Sequence, residues 1–334
     1  MEQEATGISE KRPHADHPLA NNAPLFLVGA LRSGTTMLRL MLDGHASIRI
    51  PFEFDFAVDA ISDGGRYPEV SAYLDYLSSH RIFQATGLLS NAQLSYHELV
   101  RSYLTQVRDR DRKPIVGGTL HRHFEHLPGL WPNARYLHLL RDGRDVARSA
   151  VRMGWAGNAY MAADVWLLAE EAWDRLRHQV PSEQLHEVRY EQLVHDPEGV
   201  LRGVCEFLGL PYDPNMLRYA ERSSYRPPNI AEAAGWNDDG DAREEAQLAE
   251  AKIGPMLSAR GYPLSSAAQQ ELSAAERTRL QLDSRIKALR FRAQRYGTGL
   301  LAIDVATRRL PFVPRTIRHA VQRKLNQIEQ GHLK

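Results

Sequence analysis

Leu25-Phe-Leu-Val28 is an unbroken apolar run, too short for a helix, and it predicts a buried strand. A glycine-bracketed turn follows, Gly29-Ala-Leu-Arg32-Ser33-Gly34-Thr35-Thr36, and then Met37-Leu-Arg-Leu-Met-Leu42, which predicts a helix. Arg135-Tyr-Leu-His-Leu-Leu140 repeats the pattern: a strand, a polar turn over 141–145, and a helix-prone stretch from Val146 to Met153. Ile115-Val116 and Leu185–Arg189 predict two further strands. Asp196-Pro197 caps and starts a helix that Gly209 ends. Asp164–Arg177 predicts an amphipathic helix with Val165, Leu168 and Ala172 on one face. Residues 56–112 are helix-rich, broken at Tyr67-Pro68 and Ser90-Asn91, with a helix expected over Ser95–Asp109. Ser273-Ala-Ala-Glu276 is a capping box that opens a helix reaching Arg295. Gly297 and Gly299 break it, and Pro311 and Pro314 break a second apolar segment. No segment repeats. The alternation of strand and helix predicts an α/β fold: a mainly parallel sheet with helices on both faces, plus a helical C-terminal extension.

The turns carry the candidate chemistry. A helix N-terminus presents unpaired N–H groups and partial positive charge, so the loop that feeds it can cradle an anion. Gly29 and Gly34 have the G-x-x-x-x-G spacing of a phosphate loop, but Thr35 stands where that loop has lysine, and Arg32 is the cation inside the turn. A guanidinium fork suits a phosphate or sulfate and needs no metal. An ordinary strand–turn–helix carrying a stray arginine is the plainer reading of this segment alone. The second unit adds Arg141 at a strand end and Ser149 eight residues later, both facing the crevice where open α/β sheets bind ligands.

Together these segments resemble the two signatures of sulfotransferases that use 3′-phosphoadenosine 5′-phosphosulfate (PAPS). The Arg32-Ser33-Gly34-Thr35-Thr36 turn is similar to their 5′-phosphosulfate loop, and Arg141 with Ser149 to their 3′-phosphate site. Val188–Pro197, running on to Phe207–Pro211, and Ile253–Pro263 are similar to a following strand–helix unit and a closing helix. The spacing resembles most closely the tyrosylprotein sulfotransferases and related bacterial sulfotransferases, over roughly residues 24–264. The resemblance implies the P-loop-like sulfotransferase fold, here over 23–265, and we take 56–112 as a helical insert shaping the acceptor side; the polar start reads as a disordered leader at 1–22 and the basic end as a helical extension at 266–334. It implies sulfuryl transfer from PAPS, as co-substrate and without a metal, to a hydroxyl or amine of a small-molecule, glycan, lipid or tyrosyl acceptor.

Such transfer needs donors for the oxygens on which charge builds, and a base for the acceptor's proton. Arg32, Ser33, Gly34, Thr35 and Thr36 supply the donors, and Arg141 and Ser149 hold the far end of the nucleotide. The leading base is Glu53, a carboxylate partly desolvated between Phe52 and Phe54 and placed 21 residues after Arg32, the spacing the resemblance implies. His45, where the first helix stops, is the rival, and its plainer role is to cap that helix; Asp55, His121 and His123 stand behind it. Tyr190 matches a cofactor-contacting tyrosine, and Ser223 or Ser224 the start of a loop closing over the nucleotide. Two positions depart from the family: Gly118 and Gly235 stand where relatives carry lysines, and His121 or Arg122 is left to compensate for the first.

Charge adds an asymmetry. The net formal charge is +1, yet Glu271–Lys334 holds 14 Lys and Arg against 5 Asp and Glu. That basic stretch reads as a helix packing its apolar stripe on the core or on a second subunit of a homodimer, or as a surface meeting anionic membrane. Without a nucleic-acid motif, nucleic acid is not an expected partner. The single cysteine, Cys205, excludes a disulfide framework within the chain and reads as a core residue. No apolar run nears the roughly 20 residues of a membrane span, and the N-terminal stretch has no signal core, so a cytoplasmic protein is expected. Two other classes stay open: a P-loop kinase or nucleotide-binding protein, and a non-catalytic sulfotransferase-like binding protein. ATP–magnesium binding would mark the first, and sulfuryl turnover on any acceptor would exclude the second.

Overall fold

The computed structural model describes residues 23–221, Ser223, 240–265 and 272–309, together with residues 317, 320–325 and 328. The apolar runs become strands β1 Leu25–Val28, β2 Ile48–Arg49, β3 Ile115–Leu120, β4 Arg135–Leu140 and β5 Leu185–Arg189. They form one sheet in the order β2-β3-β1-β4-β5, with every pairing parallel. Parallel neighbours need long crossovers, which the helices provide. In chain order these are α1 Thr35–Asp43, α2 Val70–Ser79, α3 Arg81–Thr86, α4 Tyr96–Asp111, α5 Leu127–Leu130, α6 Gly143–Arg152, α7 Ala159–Ala162, α8 Asp164–Arg177, α9 Tyr190–His195, α10 Pro197–Leu208, α11 Gly240–Ala259, α12 Ala274–Tyr296 and α13 Thr298–Arg309.

The period-2 geometry of β1 divides the core. Leu25 and Leu27 pack with Met37, Leu38, Leu193 and Leu201 of α1, α9 and α10 on one face. Phe26 and Val28 pack with Phe54, Tyr103, Trp166 and Ile253, from the opposite layer. Cys205 is buried against Met216, as a core residue. A buried ion-pair chain ties the closing helix to the rest: Arg260 donates to Glu170 at 2.6 Å, and Glu170 also meets His138 at 3.2 Å.

Several elements differ from their sequence expectations. β3 does not stop at Val116 but continues through Gly117 and Gly118, which pair with Leu25 and Phe26. α6 starts at Gly143, earlier than expected, because the Asp142 side chain caps it by accepting the Arg144 amide. On α8, Ala172 is buried as expected but Leu168 is exposed; the buried apolar stripe is Trp166, Ala169, Ala172, Trp173 and Leu176, and the Trp166 indole is fixed by donation to the Arg141 carbonyl. Gly297 ends α12, whereas Gly299 lies inside α13. The leader at 1–22 and the breaks at Pro311 and Pro314 lie outside the described residues. Among the described residues, no helix is long and apolar enough to cross a membrane.

Candidate active site

Gly34 is the N-cap of α1, at φ 94° in the left-handed region. A Cβ there would lie 2.5 Å from the Tyr190 ring, so glycine is required both by the backbone and by the tyrosine packed on the loop. The first turn of α1 carries no acidic side chain and Gly34 offers no side-chain cap, so no side chain of the cap competes with an anion for the Thr35 and Thr36 N–H groups. Arg32 is also left-handed, at φ 72°, a conformation costly for a side chain with a Cβ. That turn lets the Arg32 carbonyl accept from Arg141 Nη1 at 3.1 Å and lets Arg32 Nε donate to Ser149 Oγ at 2.9 Å. The Arg141 guanidinium stacks over the Tyr190 ring at 4.3 Å from its centroid. The two loops are thus one site, at the carboxyl ends of β1 and β4. Ser33 Oγ and Arg141 Nε are buried in it without a hydrogen-bond partner among the described residues. Buried polar atoms are normally paired, and these two are left unpaired at the two loops; Arg141 lines the cavity, whereas Ser33 does not.

The acids stand across the loop. Glu53 bridges Thr119 beside β3, Phe54 turns into the core, and Asp55 is buried against the end of β3. Asp55 Oδ1 accepts the His121 amide at 2.8 Å, and Asp55 Oδ2 lies 3.1 Å from His121 Nδ1. His121 Nε2 lies 3.1 Å from Thr35 Oγ1. With the Nδ1 proton given to the carboxylate, Nε2 accepts the Thr35 hydroxyl, so the chain Asp55–His121–Thr35 fixes a side chain of the anion loop. Burial opposes ionisation of Asp55, but the His121 ring and Arg122 outweigh it and hold this carboxyl below the ordinary carboxylate range. A Cβ on Gly118 would lie 2.3 Å from Phe54 Cβ, so the family's lysine cannot be accommodated there while Phe54 keeps its place. Of the two residues considered as compensation, His121 reaches the loop, whereas Arg122 is committed to Asp59 at 2.6 and 2.8 Å.

Not every expected residue joins the site. His45 is buried, accepts the Ser47 amide at Nδ1 and lies 2.9 Å from the Pro211 carbonyl through Nε2. Both ring nitrogens are used in holding the end of α1, and His45 does not line the cavity, which corrects the expectation of a rival base there. Ser223 donates to the Tyr219 carbonyl at 3.0 Å and does not line the cavity, and neither does His123. Ser224, Gly235 and Trp236 lie outside the described residues. Glu53, Asp55 and His121 bring ligand atoms within 4.8 Å of one another, as do His123, Glu125 and His126. In the first group both imidazole nitrogens are already hydrogen-bonded.

These parts enclose a cavity of about 930 Å³, lined by Arg32, Gly34–Thr36, Glu53, Asp55, His121, Arg141 and Tyr190. The sequence reading did not place α12 here, yet Phe291, Arg292 and Arg295 form its far wall. The helical period and basic charge of α12 are visible in the sequence, but its partner surface is not.

Asp145, beside Arg141 at 3.6 Å, gives a pH test. Burial pushes its carboxyl up to about 6 against the pull of Arg141, from an ordinary 3.8. A raised folded-state value means that its contribution is present below about pH 4 and is lost as pH rises through 6, a loss of up to about 3 kcal/mol. Asp145→Asn should therefore raise the unfolding midpoint at pH 7.5 relative to wild type and leave little difference at pH 4. Equal differences at both pH values would refute the assignment.

Comparison with known proteins bears on the family and the fold. A family model described as "Sulfotransferase family" matches residues 24–214, more than half of the chain. The Protein-tyrosine sulfotransferase A of Caenorhabditis elegans is 26% identical over 264 residues, covering 71% of this chain and 67% of that protein. The Protein-tyrosine sulfotransferase of Drosophila melanogaster is 26% identical over 275 residues, covering 71% of this chain but only 51% of its own length. Among solved structures, the sulfotransferase domain from the curacin biosynthetic pathway is similar in fold, with a TM-score of 0.50 at 18% identity, covering 73% of this chain and 99% of that one.

Proposed function

We propose that this chain, which belongs to the sulfotransferase family, transfers a sulfuryl group from 3′-phosphoadenosine 5′-phosphosulfate to a hydroxyl. The acceptor class is a small molecule, glycan, lipid or tyrosyl group. The observation that carries the nucleotide assignment is the joining of two anion loops through Arg32, whose side chain reaches Ser149 and whose carbonyl holds Arg141. The α1 N-terminus with Ser33, Thr35 and Thr36 holds the 5′-phosphosulfate. Arg141 and Ser149 hold the 3′-phosphate, with Arg32 between the two and Tyr190 beneath. The unpartnered Arg141 Nε, on a residue that lines the cavity, fits this ligand.

In the transfer, charge grows on the sulfuryl oxygens and on the oxygen left on the phosphate. Donors fixed beforehand stabilise it without reorganising. The Thr35 hydroxyl is fixed in this way by His121 and Asp55, which bring an imidazole to the anion loop. Glu53, across the cavity, takes the acceptor's proton. The position after Gly34 is a threonine committed to His121, which disfavours a lysine-dependent kinase reading.

Thermal unfolding with adenosine 3′,5′-bisphosphate against ATP–magnesium tests the reading. A ligand at 100 times its Kd stabilises the fold by about 2.7 kcal/mol. The bisphosphate is expected to raise the midpoint and ATP–magnesium to leave it nearly unchanged. The reverse order would overturn the proposal.

A further inference from the structure

The wall formed by α12 lies beyond the residues that the family model matches, and it is built to dock. Gly154, at φ 73°, faces Phe291 so closely that a Cβ would lie 2.1 Å from the ring; at Gly157 a Cβ would lie 2.6 Å from that of Lys287. The Gly157 amide donates to Ser284 Oγ at 2.9 Å, and Asn158 Nδ2 donates to the Leu280 carbonyl at 2.8 Å. Ser284 is buried in consequence. The helix is therefore fixed against the segment that follows α6, and its last two turns reach the cavity.

The cavity carries more cations than the nucleotide uses, among them Arg81 of α3 and, on the α12 wall, Arg292 and Arg295. Arg32 and Arg141 belong to the donor loops. Arg122 is paired with Asp59, and Arg292 with Asp304 at 3.0 Å. Arg295 has no ion pair among the described residues, and its Nε is buried without a hydrogen-bond partner. Phe291 lies under its guanidinium, at 5.8 Å from the ring centroid, and Trp155, next to the Gly154 on which Phe291 packs, also lines the cavity. A half-buried guanidinium stacked near an aromatic ring suits a carboxylate carried on an apolar body.

Resting on the sulfotransferase reading, we propose that the acceptor is a small hydroxylated molecule with a separate carboxylate or like anion, and that Arg295 of α12 recognises that anion. Phe291 and Trp155 take the apolar part, and the hydroxyl lies toward Glu53. A small acceptor is favoured over a peptide because α12 walls the cavity.

The probes are 3-(4-hydroxyphenyl)propionate and its methyl ester, which share the phenol and differ in charge. Binding is measured by calorimetry with and without adenosine 3′,5′-bisphosphate, and sulfuryl transfer is measured alongside. Wild type should prefer the acid about tenfold or more, as expected for one charged contact. Arg295→Ala should bring the ratio toward one, and Arg295→Glu should invert it, with bisphosphate affinity retained in both. An unchanged ratio in Arg295→Ala, a wild-type preference for the ester, no binding of either phenol, or tighter binding of a glutamate-flanked tyrosyl peptide would each overturn the proposal. So would a tenfold loss of bisphosphate affinity in Arg295→Ala, which would move Arg295 to the donor site. Failure of wild type to bind the bisphosphate would instead sink the sulfotransferase reading itself, a separate result.

Discussion

Glu53→Gln is expected to lower sulfuryl turnover by about 10²–10⁴-fold, the range typical of a lost general base, while binding of adenosine 3′,5′-bisphosphate persists. The amide keeps the shape and hydrogen-bonding capacity of the acid but cannot take a proton at neutral pH. Glu53 lines the cavity and its bridge to Thr119 is made by backbone, but its carboxylate also offsets the partly buried Arg39 charge, so thermal unfolding of Glu53→Gln is measured alongside turnover. His121→Gln makes the comparison sharp. It breaks the link from Asp55 to Thr35, so it should weaken the loop's grip on the donor as well as the rate. A near-normal Glu53→Gln beside an inactive His121→Gln would transfer the base role to His121. His45→Gln should cost stability and not turnover, since both its ring nitrogens serve the backbone.

The double substitution Arg141→Ala with Ser149→Ala should remove the preference for PAPS over adenosine 5′-phosphosulfate. A charge-assisted hydrogen bond contributes about 1.5–3 kcal/mol and a neutral one about 1, so together roughly 3 kcal/mol, or about 100-fold in donor affinity. Arg141 also holds the Arg32 carbonyl and covers Tyr190, so some of the loss will come from a loosened loop. The ratio between the two donors isolates the 3′ contact from that general effect. A double variant that still prefers the 3′-phosphorylated donor would place the 3′-phosphate elsewhere.

The local features of this site were legible in the chain. An apolar run that ends in a glycine turn marks β1 and its loop, and the same pattern marks β4, Arg141 and Ser149; these depend on near neighbours in sequence. What was hidden depends on packing between distant segments. His121 stood in the sequence as one of several histidines, because nothing local shows that β3 runs on through two glycines and delivers it to Thr35. The glycine at 118 read as a missing lysine, whereas its reason is the Phe54 side chain that fills the adjoining space. The face of α8 was misjudged for a similar cause: Leu168 is as apolar as its neighbours, but the helix is turned by two tryptophans whose partners come from other elements. The role of α12 was hidden most completely, since a basic amphipathic helix has the same pattern whether it meets solvent, lipid or the inside of a cavity.

The docking of α12 at Gly154 lies five residues from Ser149, so one short run of chain joins the residue proposed for the nucleotide to the helix proposed for the acceptor. Two ligands that bias one segment are thermodynamically linked, and the linkage is reciprocal. Whatever factor the nucleotide applies to the affinity of the acceptor, the acceptor must apply to the affinity of the nucleotide. If that factor exceeds one, an acceptor bound beside spent nucleotide slows its departure, and turnover falls at high acceptor concentration. If it is below one, the incoming acceptor helps to expel the product of the previous cycle.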